Sequence, residues 1–188
     1  MAISVAHTGN PAEPSAWLKR YAYLIKPPGC VLDIAAGSGR NSRWLAAQGW
    51  QVEAVDVDAA ALQTMAGVPG IATRVADLEQ GPWPYAERKF DAIVVCRYLH
   101  RPLLPLLAAS LEPGGVLIYE TFMQGHEAYG RPKNPDFLLR PNELLEAFAG
   151  ELLPHAFEQG LDVARQAVVQ RICAVGRAAF PARLTNEM

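Results

Sequence analysis

The chain has 188 residues, of which 51% are hydrophobic, and its formal net charge is −2. That length suits one domain, large enough to bury a core without disulfides or metal ions. The small net charge argues against a broad surface for nucleic acid or membrane, although it leaves room for a local basic patch.

The three cysteines, Cys30, Cys96 and Cys173, are far apart, and each lies in an apolar run. Their odd number and the absence of a Cys-x-x-Cys pair predict reduced core thiols rather than disulfides or a metal site. The N-terminus has no basic region followed by a long apolar stretch, and no window approaches the roughly 18 apolar residues of a membrane helix. We therefore expect a cytoplasmic protein that binds neither membrane nor metal.

Residues 1–14 are small, polar and rich in proline, which predicts a flexible lead-in. Residues 15–188 are expected to form a single domain. Ser15 is placed to cap a helix, because the apolar side chains that follow it recur every three or four residues as far as Ile25.

Short apolar runs then alternate with helical patterns along the chain. Strands are predicted near 30–34, 51–56, 71–75, 90–96 and 114–121, and helices near 40–48, 59–66, 102–111 and 141–149. Continuous apolar runs at 92–95 and 116–119 are typical of parallel strands covered on both faces. The runs 152–158 and 167–175, separated only by the polar segment 159–166, predict an antiparallel pair. The fold class is therefore α/β, a Rossmann-like sheet, mostly parallel with an antiparallel C-terminal strand pair and helices on both faces.

The run VLDIAAGSGRN at 31–41 indicates a buried strand that turns sharply into a helix. Gly37 and Gly39 would let the backbone of this turn approach a ligand, because neither carries a Cβ and positive φ costs them little. A Gly-x-Gly pair alone is weak evidence, and its position between strand and helix is what makes it informative.

A dinucleotide-binding fold would use the same turn, but two residues favour a different cofactor. The dinucleotide fingerprint requires a third glycine where this chain has Ser42. Asp33 would repel a pyrophosphate, yet its carboxylate could bind the ammonium group of a methionine moiety. These residues favour an adenosyl sulfonium cofactor over a nicotinamide dinucleotide.

Two further acids follow the next strands. Asp56 ends the second strand, where its carboxylate could accept both ribose hydroxyls, and Asp77 follows the third, where it could accept from the adenine amino group beside Leu78. Purely structural roles are the alternative: Asp33 and Asp56 could accept hydrogen bonds from loop amides, and Asp77 could cap a turn.

In this order and spacing, DIAAGSG, AVDVD, ADL, FDAIVVCRYLH and LEPGGVLIYE resemble the motifs of class I S-adenosylmethionine-dependent methyltransferases over roughly residues 15–177. GRNSRWLAAQGWQVEAVD, YLHRPLL and ETFMQGHEAYGRPKNPDFLLRPNELL are most similar to the small bacterial methyltransferases grouped with tellurite-resistance methyltransferases. The resemblance implies S-adenosylmethionine as cofactor, with S-adenosylhomocysteine as product. It implies cofactor contacts from Asp33, Ala35, Gly37, Gly39, Arg40, Asn41, Asp56, Val57, Asp77, Leu78 and Cys96. Ala35 departs from the family, which most often has a glycine there.

The segment after the fourth strand, residues 96–101, should face the methyl group and its acceptor. Methyl transfer from a sulfonium needs alignment more than a strong base. His100 could be a general base or a helix cap, and Cys96 a nucleophile or a core residue. Trp17 in the first helix could lie over the cationic sulfur or simply pack in the core.

Seven basic residues are expected in loops along the edge of the sheet where the cofactor would lie. They are Arg97, His100, Arg101, His126, Arg131, Lys133 and Arg140. Converging there, they would attract an anion; scattered, they would be no more than solvated loop charges. We expect the acceptor side to use Arg97, Tyr98, His100 and Arg131.

These motifs predict a methyltransferase whose acceptor is small and either anionic or soft, such as a thiol or a chalcogen oxyanion. The alternatives are a methyltransferase that acts on RNA or protein, a nicotinamide-dependent enzyme, and a cofactor-binding protein without catalysis. The absence of a separate recognition domain or basic tail disfavours a nucleic-acid partner. We expect a monomer or a homodimer.

Overall fold

The structure, a computed structural model, describes residues 13–179. The helices are α1 (Ala16–Tyr21), α2 (Arg40–Ala47), α3 (Ala59–Gln63), α4 (Leu104–Ala109) and α5 (Glu143–Phe148). The strands are β1 (Cys30–Ile34), β2 (Gln51–Asp56), β3 (Ile71–Val75), β4 (Phe90–Cys96), β5 (Leu111–Phe122), β6 (Leu152–Asp162) and β7 (Ala167–Gly176). They form one sheet in the order β3-β2-β1-β4-β5-β7-β6.

The sheet is mostly parallel, as the sequence predicts. β1 pairs in parallel with both β2 and β4, and β4 continues in parallel to β5. β7 pairs antiparallel with β5 and with β6. The order reverses next to β1, so the carboxyl ends of β1 and β4 border the crevice where open α/β sheets bind ligands.

Helices cover both faces of the sheet, which confirms the predicted fold class. Apolar side chains of α1 and α2 pack with one face, and those of α4 and α5 pack with the other. The buried strands alternate between these two layers, with Leu32 and Ile34 in one and Val31 in the other. This arrangement explains the continuous apolar runs of the central strands.

The element boundaries differ from expectation mainly at the ends. The helix predicted at 59–66 is α-helical only to Gln63, and β6 continues to Asp162 although 159–166 is polar. The polar residues stay in the strand because β7 pairs with them throughout, up to Asp162 opposite Ala167. Backbone pairing here overrides side-chain hydropathy.

Most of the predicted lead-in, residues 1–14, lies outside the described residues, as does the tail 180–188 of the predicted single domain. Between these limits no helix is long and apolar enough to cross a membrane. The same part of the chain holds no group of three His, Cys, Asp or Glu side chains suited to a metal ion. All three cysteines are free, and Cys96 and Cys173 are buried.

No helix joins β3 to β4 in the described chain; the connection is irregular. A polar cluster anchors it instead: Glu53, 7% exposed, accepts hydrogen bonds from Arg74 (3.1 Å), Arg88 (2.8 Å) and the Tyr85 hydroxyl (3.1 Å). Burial raises the pKa of Glu53, but the hydrogen bonds from Arg88, Arg74 and Tyr85 outweigh it and lower the pKa below its ordinary value. The cluster therefore stabilises the fold in its ionised form.

We expect Glu53→Ala to lower the free energy of unfolding at pH 7 by about 1–3 kcal/mol, because it leaves the buried Tyr85 hydroxyl without its acceptor. The two arginines are half exposed, so water can replace their partner. Urea unfolding measures the loss, with the exposed Glu87→Ala as control. Since the folded pKa is lowered, the difference from wild type should shrink as the pH falls through that pKa. Equal stability of the two variants at pH 7 would contradict this role.

Candidate active site

Parallel pairing brings three predicted site residues to one edge of the sheet. β1 lies between β2 and β4, so Asp33 near the end of β1, Asp56 at the end of β2 and Arg97 just after β4 share that edge. Neighbouring strands are about 4.8 Å apart. The sequence reasoning placed these residues together from motif order, and the sheet topology provides the physical reason.

The turn after β1 has the left-handed backbone that its glycines predict. Gly37 has a φ of +55°, and a Cβ built there would meet nothing within 4 Å, so the space above it is open to a ligand. Gly39 has a different reason to be glycine, because a Cβ there would lie 1.8 Å from the sulfur of Met65. Ala35 is also left-handed, with a φ of +52°. Its conformation explains why glycine suits that position, and it costs an alanine about 1–2 kcal/mol.

Asp33 is buried beneath this turn, at 1% exposure. It accepts a hydrogen bond of 2.6 Å from the Ser42 hydroxyl, at the position where a dinucleotide fingerprint would have glycine. Burial raises the pKa of Asp33 from its ordinary value of 3.8 to about 6, against the opposing effects of Ser42 and Arg40. Asp33 thus joins the base of the turn to the first turn of α2.

Asp56 links the ends of β1 and β2. One carboxylate oxygen accepts from the Gly37 amide at 2.8 Å, and the other accepts from the Asp58 amide at 2.9 Å. The alternative role, satisfying loop amides, is therefore present in the structure. Each carboxylate oxygen can accept a second hydrogen bond, so the same side chain retains capacity for a diol.

Asp77 caps a turn, which is the structural alternative that the sequence left open. Its Oδ1 caps the following turn by accepting from the amides of Glu79 and Gln80, and these bonds lower its pKa. Its Oδ2 has no hydrogen-bond partner among the described residues. Leu78 beside it is buried, whereas Val57 after β2 exposes 51% of its surface at the same edge.

The start of α1 is fastened to the glycine turn. Ser15 caps α1 by accepting from the Leu18 amide, and its own amide donates to the Asn41 side chain at 3.0 Å. Arg40 donates to the Glu13 carbonyl at 2.9 Å. Arg40 and Asn41, both predicted cofactor residues, therefore hold the N-terminal segment in this structure.

Trp17 and Cys96 are both core residues. Trp17 is 3% exposed and packs edge-on against Tyr21, with ring centroids 4.5 Å apart. Burial raises the pKa of the Cys96 thiol, and the negative charge of Glu120 adds to the rise. The thiol is therefore neutral, which disfavours the nucleophile alternative.

Tyr98 and His100 lie on the side of the acids. Burial raises the pKa of Tyr98, and the negative charges of Glu79, Asp77 and Asp56 raise it further. The charge of His100 contributes to the lowered pKa of Asp77. The His100 side chain does not cap the short 3-10 helix that begins at Arg101, so the capping alternative is wrong.

The residue after β4 adopts a strained conformation. Arg97 has a φ of +59°, which costs a residue with a side chain about 1–2 kcal/mol. Its amide donates to the Glu120 carbonyl at 2.9 Å, and the Tyr119 hydroxyl donates to the neighbouring Tyr98 carbonyl at 2.9 Å. Tyr119 therefore holds this turn.

The seven basic residues divide into two groups. Arg101 forms two hydrogen bonds with Glu143, at 2.6 and 3.0 Å, and Arg140 also pairs with Glu143. His126 is buried, stacks on Phe122 and contacts backbone groups through both ring nitrogens. Arg101 and His126 bond to backbone groups of the loop 123–139, and Arg140 pairs with Glu143. All three side chains therefore have structural partners, which leaves them less available to an anion than expected. The other four side chains have no hydrogen-bond partner among the described residues: Arg97, His100, Arg131 and Lys133.

Sequence reasoning missed two positioning contacts. Ser15 was expected only as a helix cap, and its amide bond to Asn41 depends on a partner 26 residues away. Ser42 was noted as the residue that breaks the dinucleotide fingerprint, but its hydrogen bond to Asp33 was not anticipated. A small polar residue in the first turn of the helix that follows the buried acid was the available signal for that bond.

The chain matches a family model described as a methyltransferase domain over residues 7–163. No curated protein matches the sequence significantly.

The fold is similar to those of several solved structures, three of which are described here. TehB from Haemophilus influenzae has 20% identity and a TM-score of 0.66, and the match covers 83% of this chain but 60% of that one. An S-adenosylmethionine-dependent methyltransferase from Methanosarcina mazei has 17% identity and a TM-score of 0.67, with 87% and 98% covered. The 1,6-didemethyltoxoflavin N1-methyltransferase of Burkholderia thailandensis, with bound 1,6-didemethyltoxoflavin and S-adenosylhomocysteine, has 21% identity and a TM-score of 0.64, with 90% and 80% covered.

The buried Asp33 gives a pH-dependent prediction. Because its folded pKa is raised to about 6, its stabilising contribution is complete below its ordinary value of 3.8 and is lost as the pH rises through 6. One pKa unit corresponds to about 1.4 kcal/mol, so we expect Asp33→Asn to be about 1–3 kcal/mol more stable than wild type at pH 7.5. Urea unfolding at pH 7.5 and 4.5 measures the gap, which should nearly close at the lower pH. A variant less stable than wild type at pH 7.5 would refute this assignment.

Proposed function

Because the chain belongs to the methyltransferase-domain family, we propose that it transfers a methyl group from S-adenosylmethionine to a small anionic or soft acceptor, such as a thiol or a chalcogen oxyanion. The family confirms the enzyme class and cofactor predicted from the sequence. The observation that carries the proposal is the row of acids at the ends of β1, β2 and β3, beside a glycine turn open above Gly37.

The residues along this edge fit the cofactor in chemistry. Asp56 retains acceptor capacity for the ribose hydroxyls, and Asp77 retains one carboxylate oxygen for the adenine amino group. Val57, which is exposed, offers apolar surface for the adenine ring, and Leu78, which is buried beside Asp77, would lie beneath it. Gly37 presents backbone without a side chain to the methionine end.

Asp33 has a supporting part in this proposal. Its carboxylate is 1% exposed and bonded to Ser42, so it shapes the turn from below and attracts the ammonium group through its charge. Arg40, Asn41, Cys96 and Trp17 hold the surrounding chain in place. The residues around the glycine turn are thus positioned by contacts that need no ligand.

When bound, S-adenosylmethionine supplies an electrophilic methyl group on a good leaving group. The protein then has to align the acceptor and exclude water rather than supply a strong base. We assign acceptor binding to the unpaired basic groups Arg97, His100 and Arg131, and we assign Tyr98 to the wall between acceptor and adenosine. The fixed turn after β4 keeps Arg97 and Tyr98 in place.

A small acceptor agrees with the charge of the chain and with one structural relative. The formal net charge of −2 provides no broad surface for nucleic acid. The Burkholderia thailandensis enzyme is an N-methyltransferase with a small molecule bound, and its fold is similar to this one. We further propose that the protein acts in the cytoplasm as a monomer or homodimer.

Ligand-induced stabilisation separates this function from its rivals. A ligand present at 100 times its Kd adds about 2.7 kcal/mol to the free energy of unfolding. We expect S-adenosylmethionine and S-adenosylhomocysteine to raise the melting temperature and NAD to leave it unchanged. Stabilisation by NAD alone would contradict the proposal.

The ribose assignment can be tested with one pair of variants. Asp56→Asn removes a charge that accepts hydrogen bonds, so we expect the Kd of both adenosyl ligands to rise at least tenfold, a loss of about 1.4 kcal/mol. Glu112→Gln, at an exposed position at the start of β5, removes one charge far from the edge and should leave both Kd values unchanged. Calorimetric titration measures both, and equal affinities in the two variants would refute the assignment.

A further inference from the structure

The Arg97 side chain is unusual among the arginines of this region. Its Nη1 atom is buried and has no hydrogen-bond partner. The Nε atom of Arg171 is also buried without a hydrogen bond, but the Arg171 side chain forms ion pairs, whereas Arg97 forms none among the described residues. The nearby Arg171 contacts three carboxylates, with Glu120 at 3.3 Å, Glu158 at 3.4 Å and Asp162 closest. Buried charges in proteins are normally paired, so an unpaired donor here requires an explanation.

The surroundings of Arg97 do not supply the missing partner. Burial lowers the pKa of its guanidinium, the charge of Glu120 opposes this effect, and the charge of Arg165 adds to it. Glu120 is itself buried and lies within 3.3 Å of Arg171 and 3.7 Å of Arg165. Both of these ion pairs use the Oε2 atom of Glu120, and Arg97 forms no direct ion pair among the described residues.

The backbone conformation that positions Arg97 carries a cost in conformational energy. Its left-handed φ of +59° is kept by the bond from its amide to Glu120 and by the bond from Tyr119 to the adjacent Tyr98 carbonyl. Strained residues of this kind persist only where the surroundings over-determine them, and they cluster at binding sites. The Arg97 side chain makes no hydrogen bond in the described chain that would offset the strain.

Arg97 lies next to the edge of the sheet where the cofactor is proposed to bind. β4 lies between β1, which leads into the glycine turn, and β5, which ends near Glu120. A group bound at Arg97 would therefore lie one strand away from the turn at Ala35 and Gly37. That separation suits the acceptor rather than the cofactor.

We propose that Arg97 is the recognition site for a singly charged anionic group of the acceptor, of the carboxylate class. This inference rests on the proposed function and specifies its substrate. Arg97 is partly exposed and its guanidinium makes no hydrogen bond among the described residues, so it can supply a charge-assisted hydrogen bond to such a group. The single positive charge of Arg97 matches one negative charge. The Glu120 charge, which already acts on Arg97, disfavours a second one, such as that of a phosphate monoester dianion.

Three fluorinated ligands with the same ring test the charge preference. They are 4-fluorobenzoate, the neutral 4-fluorobenzamide and 4-fluorophenyl phosphate, which is mainly a dianion at pH 8 because its second pKa is about 6. Fluorine NMR measures the Kd of each at constant ionic strength, with and without saturating S-adenosylhomocysteine. We expect benzoate to bind at least fivefold more tightly than either of the others.

The Arg97→Gln variant tests the residue. It should remove the preference for benzoate and leave the Kd of S-adenosylhomocysteine unchanged, which also shows that the variant is folded. Arg177→Gln is the matched control, since Arg177 is exposed and follows β7 at the opposite edge of the sheet. This control should keep the preference.

The outcomes separate this inference from the proposed function. If S-adenosylhomocysteine binds but the three ligands bind equally, or phosphate binds best, the inference is wrong and the methyltransferase proposal stands. An Arg97→Gln variant that retains the preference likewise overturns it. If neither adenosyl ligand binds, the proposed function fails, and the ligand series without S-adenosylhomocysteine still decides the anion site.

Discussion

The parallel pairing of β1 with β2 and β4 is the constraint on which the rest of this molecule depends. It places Asp33, Asp56 and Arg97 at one edge, although they are far apart in sequence. The bond from the Gly37 amide to Asp56 then joins the two strand ends across that edge. The carboxylate that is proposed to hold the ribose thereby also fixes the turn that faces the cofactor.

Polar contacts hold the parts of the fold that regular structure does not. Glu53 and its three donors anchor the irregular connection between β3 and β4, and Glu143 with Arg101 anchors the loop after β5. Both carboxylates have lowered pKa values because hydrogen bonds from arginine outweigh the effect of burial. The loops around the site are thus held by ionised pairs, whereas Arg97 at the site itself is left unpaired.

The cofactor side and the acceptor side of the site differ in how many of their side chains already have partners in the absence of a ligand. On the cofactor side, each predicted acid has a structural partner and retains some hydrogen-bonding capacity. On the acceptor side, three of the seven basic side chains are paired with other groups of the fold. Four make no hydrogen bond among the described residues: Arg97, His100, Arg131 and Lys133. Fewer positive charges are therefore available to an acceptor than the number of basic residues in the loops suggests.

The sequence by itself determined the sheet, its parallel centre, the glycine turn and the acids that follow the strands. These features depend on hydropathy period, glycine and residue order, which are local properties of the chain. Only the tertiary structure decided that β6 continues through polar residues, that Ser42 holds Asp33, and that Arg101, His126 and Arg140 are structural while Arg97 is free. Those outcomes depend on partners distant in sequence, and a residue type does not reveal whether its charge will be paired.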